Sequence, residues 1–198
     1  MKDHEHTWDE RLNIKTAGRD DEIADEYRYP YEPTPYCVLE RLADSGLIGE
    51  NDVVLDYGCG KGRVGFFLSA QTGAKTIGIE YDERMYELAQ ENNRQAKAKT
   101  EFVCETAENY EVPINVNRCY FFNPFSAEIL HKVMARVIES YYENPREIDL
   151  FFYYPSDEFV ADLMTAQELE FYDEISCDDL FEGHDPRERI LIFQLPQT

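Results

Sequence analysis

The chain has 198 residues, and its 41 acidic side chains outnumber 19 Lys and Arg, which gives a formal net charge of −22 at pH 7. This length fits one α/β domain with some additional structure and is sufficient to bury a sizeable core. The charge disfavours tight binding to a phosphate backbone, because that affinity depends on Lys and Arg releasing counterions. A small molecule or a cationic protein segment is therefore a better candidate partner than nucleic acid.

Five basic side chains near the middle of the chain could still form a local positive strip. They are Lys61, Arg63, Arg94, Lys97 and Lys99. A solvated helix face followed by a turn is the simpler interpretation of such a pattern. We therefore keep the prediction that nucleic acid is not the partner.

Cysteine usage and hydropathy predict the compartment. The five cysteines are odd in number and include no Cys-x-x-Cys pair, and the four histidines show no metal-ligand spacing with them. We expect free thiols in a reducing cytoplasm and no metal site. No apolar segment follows Met1, and no run approaches the roughly 18 apolar residues of a membrane span. We therefore expect no membrane partner.

Residues 1–33 are polar and aromatic, with a cluster of tyrosines and prolines between Tyr27 and Pro33. They are predicted to form an N-terminal extension folded over the domain that residues 34–198 form. Thr34 before Pro35 predicts a helix start, with a hydroxyl N-cap and proline at the first helical position. Apolar side chains then recur at helical spacing, at Val38, Leu39 and Leu42, before the helix ends near Gly46.

The run from Val53 to Glu80 predicts a strand, a glycine-rich turn, a helix and a second strand that ends in an acid. Val53–Leu55 is a short aliphatic run, as expected of a buried parallel strand. Glycines follow at Gly58, Gly60 and Gly62, and they allow a sharp turn and a close approach of the backbone to a ligand. Glu80 lies 22 positions after the first of these glycines, where an acid of a βαβ unit can accept hydrogen bonds from both ribose hydroxyls. The segment predicts an adenosine-binding half-fold.

The residues around the glycines indicate which adenosine ligand fits. A dinucleotide fingerprint needs a third glycine at position 63, where this chain has Arg63. Asp56, at the carboxyl end of the first strand, would repel a pyrophosphate and suit a ligand with an ammonium group and no phosphate. S-adenosylmethionine (SAM) is such a ligand. A phosphate ligand bound by a flavodoxin-like turn, or an NAD-dependent oxidoreductase, is the alternative that Asp56 and Arg63 disfavour.

The rest of the chain alternates strands with helices, which predicts a mostly parallel sheet covered by helices on both faces. Further strands are predicted at Thr76–Glu80, Glu101–Cys104, Arg118–Phe122, Ile148–Tyr154, Phe171–Ile175 and Arg189–Leu195. Helices are predicted after Glu80, from about Ser126 to Tyr142, and from about Asp157 to Glu168. Five βα units followed by a terminal strand pair predict an α/β fold with a Rossmann-like, seven-stranded sheet.

Asp-x-Gly-Cys-Gly-Lys-Gly-Arg-Val at residues 56–64, together with the acid at Glu80, resembles the first two motifs of class I SAM-dependent methyltransferases. Tyr-x-Pro-Thr at residues 31–34 and Phe-Phe-Asn-Pro-Phe at residues 121–125 extend this resemblance to a group of small predicted methyltransferases without an assigned substrate. The resemblance covers about residues 27–155. It extends more distantly to histone-lysine methyltransferases of the same fold.

This resemblance implies a set of cofactor-binding residues, which are Thr34, Asp56, Gly58, Cys59, Gly60, Glu80, Tyr81, Thr106, Ala107 and Asn123. Thr106 stands where the family usually has an acid that accepts the adenine amino proton, and a threonine hydroxyl is a weaker acceptor. Asn123-Pro124-Phe125 resembles the motif that borders the transferred methyl group in amino-methyltransferases, with only one proline and with its aromatic residue one position early. A turn that ends a buried strand is the alternative interpretation.

We predict a SAM-dependent methyltransferase that acts on a small molecule or a protein side chain. Asn123 and Tyr31 are the predicted catalytic residues, and no general base is identified beside them. The segment from Tyr27 to Thr34 is predicted to cover the methionine end of SAM as a lid, although packing of this arm on the far side of the sheet is the alternative. The alternative function is a SAM-binding sensor or partner-binding module without transferase activity.

Overall fold

The computed structural model describes residues 2–20, 31–98 and 100–196, and it contains a seven-stranded sheet in the order β3-β2-β1-β4-β5-β7-β6. The strands are β1 Val53–Tyr57, β2 Lys75–Glu80, β3 Glu101–Cys104, β4 Arg118–Phe121, β5 Ile148–Tyr153, β6 Glu170–Ser176 and β7 Arg189–Leu195. β1 to β5 are parallel, and β7 lies antiparallel between β5 and β6. The predicted Rossmann-like, mostly parallel sheet is confirmed.

Helices cover both faces of this sheet. They are α1 Lys2–Leu12, α2 Tyr36–Asp44, α3 Arg63–Thr72, α4 Glu83–Gln95, α5 Ala127–Glu143 and α6 Asp157–Thr165, with a 3₁₀ turn at Asp178–Leu180. One core cluster joins the sheet to apolar residues of α2 and α3, such as Leu39 and Phe67. The other joins it to α5 and α6 through residues such as Val133 and Phe159. Burial on both faces explains why the central strands are continuous apolar runs.

The sheet register brings the carboxyl ends of three strands together. Asp56 of β1 lies opposite Gly78 of β2 on one side and opposite Tyr120 of β4 on the other. β2 lies on one side of β1 and β4 lies on the other. The order in which the chain adds strands to the sheet therefore reverses at β1. Such a switch point opens a crevice between the following loops, which is where ligands bind in open α/β sheets.

The N-terminal extension begins with α1, a helix that its polar sequence does not predict. Asp9 of this helix accepts hydrogen bonds from the hydroxyls of Thr16 and Tyr36, at 2.7 and 2.6 Å. The carboxylate of Glu5 accepts the backbone N–H of Tyr36 at 2.9 Å and so satisfies an amide at the start of α2. The predicted hydroxyl cap by Thr34 is wrong, because Pro35 is the N-cap residue and the Thr34 hydroxyl is directed elsewhere.

Within the described residues, none of the helices has both the length and the apolar character that crossing a membrane requires.

Candidate functional site

A cleft opens at the carboxyl ends of β1, β2 and β4, where the topology predicts a ligand. It is an open cleft, and its empty space counted to the open mouth is about 1020 Å³. The predicted site residues that line it are Tyr31, Thr34, Asp56, Gly58, Cys59, Glu80, Tyr81, Ala107 and Asn123. Gly60 and Thr106 are not among the lining residues. The fold therefore gathers most of the predicted set from five separate segments into one cleft.

The glycine-rich turn after β1 is closely packed by residues distant in sequence. Gly58 has φ 73°, and a Cβ atom there would lie 2.6 Å from Cβ of Pro124. Gly60 has φ 52°, and a Cβ atom there would lie 2.2 Å from the ring of Tyr31. Both positions require glycine because of their backbone conformation and because of these close approaches. Gly60 thus contributes space for an aromatic ring rather than a surface of the cleft.

The carboxylate of Glu80 is held in the cleft by backbone amides. One oxygen accepts the N–H of Gly60 at 2.8 Å, and the other accepts the N–H of Asp82 at 3.0 Å. Burial raises the pKa of Glu80, and these two hydrogen bonds oppose that shift. Each carboxylate oxygen retains a further lone pair, so that the group can accept hydrogen bonds from two ligand hydroxyls.

Asp56 is buried at the bottom of the same cleft. Its Oδ2 atom has no hydrogen-bond partner among the residues that the structure describes. Burial, and next the charge of Glu80, raise the pKa of Asp56 to about 8. A buried, unpartnered carboxyl oxygen beside a second acid is costly unless a cation or a donor reaches it. An ammonium group is a ligand that this pair of acids fits, and a phosphate is one that they repel.

Thr106, which was expected to contact adenine, does not line the cleft. Its hydroxyl is buried and finds no hydrogen-bond partner in the described part of the chain. The neighbouring acids Glu105 and Glu108 line the cleft together with Ala107. An acid on this turn was expected from the family pattern, and the sequence offers one on each side of the expected position. The family pattern points to position 106 alone and does not indicate either of these acids.

Asn123 lines the cleft, but its side-chain amide is engaged with a neighbouring loop. Its Nδ2 donates to the backbone oxygen of Tyr154 at 2.5 Å, and its Oδ1 accepts the N–H of Ser156 at 3.3 Å. Asn123 and Tyr154 both have positive φ, 38° and 50°, a conformation that asparagine tolerates better than most residues. The amide therefore fixes the loop after β4 to the loop after β5.

Tyr31 and Thr34 join the N-terminal segment to the cleft. The Tyr31 hydroxyl donates to the backbone oxygen of Thr16 at 2.7 Å, so that its ring rather than its hydroxyl faces the glycine turn. Burial raises the pKa of Tyr31, which keeps the hydroxyl protonated. The Thr34 and Tyr120 hydroxyls are 3.1 Å apart. Residues 27–30 of the predicted lid, which include Tyr27, Tyr29 and Pro30, lie outside the described residues.

Arg63 anchors this N-terminal segment to the start of α3. Its side chain is only 2% exposed and forms an ion pair with Glu5 of α1. It also donates to the Thr16 hydroxyl at 2.7 Å and to the Thr34 backbone oxygen at 3.1 Å. The guanidinium carbon lies 4.2 Å from the ring centroid of Tyr36. Arg63 therefore does not belong to a basic surface strip, because its charge is used inside the protein.

The central part of the chain matches a known protein family. A family described as "Methyltransferase domain" matches residues 54–143, which include the glycine turn, Glu80 and the loop after β4. Residues 54–143 of this chain therefore form a methyltransferase domain. The predicted recognition, fold and enzyme class are confirmed for this domain, as is SAM as the cofactor that such domains use.

Two curated relatives share short segments with this chain. A protein of Dictyostelium discoideum named histone-lysine N-methyltransferase, H3 lysine-79 specific, is 42% identical over 59 residues, which is 30% of this chain and 3% of that protein. A protein-lysine N-methyltransferase of Saccharolobus islandicus is 37% identical over 60 residues, which is 29% of this chain and 37% of that protein. The chain thus spans well under half of the length of either relative.

Among solved structures, an RNA methyltransferase from Salinibacter ruber in complex with S-adenosyl-L-homocysteine superposes with a TM-score of 0.59. The alignment covers 84% of this chain and 95% of that protein at 19% identity. At this level of identity, the similarity establishes the shared methyltransferase fold and not a shared substrate.

Proposed function

We propose that this protein transfers a methyl group from SAM bound in the cleft between β1, β2 and β4. The observation that carries this proposal is the buried Asp56 carboxyl oxygen without a partner, beside a Glu80 carboxylate that backbone amides already orient. The two acids complement an ammonium group and a pair of hydroxyls, which SAM carries on its methionine part and on its ribose.

In this proposal, Glu80 accepts the ribose hydroxyls and Asp56 receives the ammonium group. Glu105 and Glu108 lie on the turn where an acceptor for the adenine amino group is needed, and they replace Thr106 in that role. Asn123 acts as a positioning residue, because its amide holds two loops together at the edge of the cleft. Tyr31 acts as an aromatic wall rather than as a proton donor, since its hydroxyl is bonded to Thr16.

SAM supplies an electrophilic methyl group on a sulfonium, so that an acceptor lone pair can displace the sulfur without metal or covalent assistance from the protein. For an acceptor that arrives deprotonated, the residues of this chain need only hold it in line and exclude water. The aromatic rings of Tyr31 and Phe122 at the cleft serve the second purpose. We further propose that the N-terminal extension, residues 1–33, forms a lid over the domain that residues 34–198 form. The segment Tyr31–Thr34 joins this lid to the domain.

The acceptor that we propose is a small molecule or a protein side chain rather than nucleic acid. The net charge of −22 disfavours a polyanion. Arg63 is a buried cation that lines the cleft, and its ion pair with Glu5 makes it unavailable to a phosphate. The partial similarity to two protein-lysine methyltransferases supports a protein side chain, whereas the RNA methyltransferase shares the fold alone. Five free cysteines favour a reducing compartment such as the cytoplasm.

Incubation of the purified protein with SAM and a cell extract tests this function. We expect S-adenosylhomocysteine to accumulate, and the Glu80→Ala variant to lose this turnover together with its SAM affinity. Binding of SAM without turnover by any protein or small-molecule fraction would instead favour the sensor or partner-binding module. Failure to bind SAM would contradict both.

A further inference from the structure

A second pocket lies beside the cofactor cleft, beyond the carboxyl ends of β4 and β5. We call it the aromatic pocket, because Phe122, Tyr153, Tyr154 and Phe181 line it. Glu32, Phe122 and Asn123 line both the aromatic pocket and the cleft. The two spaces therefore adjoin at these three residues, so that the aromatic pocket lies next to the cofactor cleft.

The aromatic side chains form a continuous wall that suits a cation. The rings of Phe122 and Tyr153 have centroids 4.7 Å apart, and those of Tyr153 and Tyr154 are 6.1 Å apart. A cation of the chain itself already uses one of these faces, since the guanidinium carbon of Arg187 lies 4.5 Å from the centroid of Tyr154. Aromatic faces attract ammonium groups in the same way, most strongly where water is excluded.

The charges around the aromatic pocket leave one carboxylate in excess. Arg187 pairs with Asp185 at 3.2 Å, and Arg19 with Glu32 at 3.8 Å. Glu188 lines the pocket, and Tyr153 donates its hydroxyl to this carboxylate at 2.7 Å. No ion pair of Glu188 is found within the residues that the structure describes. An incoming cation would therefore meet rings and an acid that accepts a hydrogen bond from Tyr153 but has no ion pair among the described residues.

We propose that the aromatic pocket binds the alkylammonium group of the methyl acceptor, with Glu188 as its counter-ion. This inference rests on the proposed methyl transfer and names its acceptor as an aliphatic amine, either a lysine side chain or a small free amine. A stacked nucleobase would also fit the rings. The phosphates attached to it would meet Glu32 and Glu188, while the two arginines of the lining, Arg19 and Arg187, already pair with acids, which makes a polynucleotide the less favoured occupant.

The same carboxylate can serve the chemistry of an amine acceptor. An alkylammonium must lose one proton before its nitrogen can attack, and Glu188 can receive that proton and pass it to solvent. The nitrogen then forms its bond to the methyl carbon while the bond from that carbon to sulfur breaks, and the electron pair stays on sulfur. Burial raises the pKa of Glu188, with Asp185 and Asp178 adding to the shift and Tyr153 and Arg187 opposing it. A raised pKa makes this carboxylate a better proton acceptor.

Two small probes test the recognition independently of SAM. n-Butylamine, which is an ammonium ion at neutral pH, and 1-butanol are titrated into the full chain while the ring signals of Tyr153 and Tyr154 are followed by NMR. We expect the amine to bind at least about tenfold more tightly than the alcohol. Glu188→Gln should abolish this preference, and Glu182→Gln, an exposed acid of the same loop, should retain it. Equal affinity of the two probes, or a preference that survives Glu188→Gln, would overturn the proposal.

Turnover with SAM then distinguishes the sources of the amine. Lysine-containing peptides and small aliphatic amines are compared with a single-stranded RNA oligonucleotide as methyl acceptors. Methylation of either kind of amine, with KM raised about tenfold in Glu188→Gln and unchanged in Glu182→Gln, supports the aromatic pocket. Methylation of the oligonucleotide alone, or of no amine by a protein that binds SAM, contradicts it. A protein that does not bind SAM contradicts the proposed function instead.

Discussion

The ring of Tyr31 lies directly on Gly60, so closely that a Cβ atom at position 60 would be 2.2 Å from the ring. This contact joins the N-terminal segment to the turn that follows β1, and the N–H of Gly60 in turn donates to Glu80. One glycine therefore places an aromatic wall and a carboxylate on the same cleft. The close fit explains why the turn requires glycine at a position that does not itself line the cleft.

Gly60→Ala should displace the Tyr31 ring and destabilise the protein by about 1–3 kcal/mol. Urea denaturation measures this loss of unfolding free energy. Gly46→Ala is the matched control, because Gly46 also has positive φ, 76°, but has no atom within 4 Å of the added Cβ. The control variant introduces backbone strain without a steric clash. The difference in unfolding free energy between the two variants therefore measures the contact with Tyr31. Equal losses in both variants would show that the contact is unimportant.

Asp56 gives the protein a defined pH dependence of stability. Its pKa is raised to about 8 in the folded protein, whereas an unfolded aspartate titrates near 4. The folded state therefore binds more protons than the unfolded state between these values, and stability falls as pH rises from about 4 to about 8. Above about pH 8, the contribution of Asp56 to stability no longer changes with pH.

Asp56→Asn should remove this dependence, and the variant should be more stable than the unchanged protein at pH 9 by at least about 2 kcal/mol. It should also bind SAM more weakly by about 1.5–3 kcal/mol, because the counter-ion of the ammonium is lost. Denaturation at several pH values and calorimetric titration measure the two effects. Asp44→Asn, an exposed substitution of the same kind, should change neither. A variant that loses stability at pH 9 would refute the assignment of a buried, unpartnered carboxylate.

Arg63 connects the N-terminal helix to the cleft, and its removal should release that helix. Arg63→Met leaves Glu5 and Asp9 without their buried cation, which should cost about 3–5 kcal/mol of stability. Limited proteolysis should cut the N-terminal segment faster, and SAM affinity should fall because Tyr31 and Thr34 lose their anchor. Arg94→Met, at an exposed arginine of the candidate basic strip, serves as the control. Unchanged proteolysis of the Arg63→Met variant would contradict the anchoring role.

The sheet and most of the cleft could be predicted because their signals are local. The strand Val53–Tyr57 is a buried run followed by glycine, and the acid at Glu80 follows at the spacing of a βαβ unit. The helix α1 could not be predicted in this way. Its sequence is mostly polar, and its contacts to Tyr36 and Arg63 join residues 27 to 58 positions apart.

The directions of individual side chains could not be predicted from the sequence either. Asn123 and Thr106 were placed on the correct loops, but the sequence does not reveal that the Asn123 amide turns toward Tyr154 or that the Thr106 hydroxyl is buried. Arg63 was counted with four other basic residues as part of a solvated helix face followed by a turn. Its burial depends on Glu5, Thr16 and Thr34, which only the folded chain brings together.

Calorimetric titration of SAM into the full chain and two variants tests most directly whether the cleft binds SAM through Glu80. We expect SAM to bind the unchanged protein, NAD not to bind, and Glu80→Ala to weaken SAM binding by about 1.5–3 kcal/mol. Glu83→Ala, at an exposed acid three residues further on, should bind SAM normally. Binding of NAD without SAM, or an unchanged SAM affinity in a folded Glu80→Ala variant, would contradict the account.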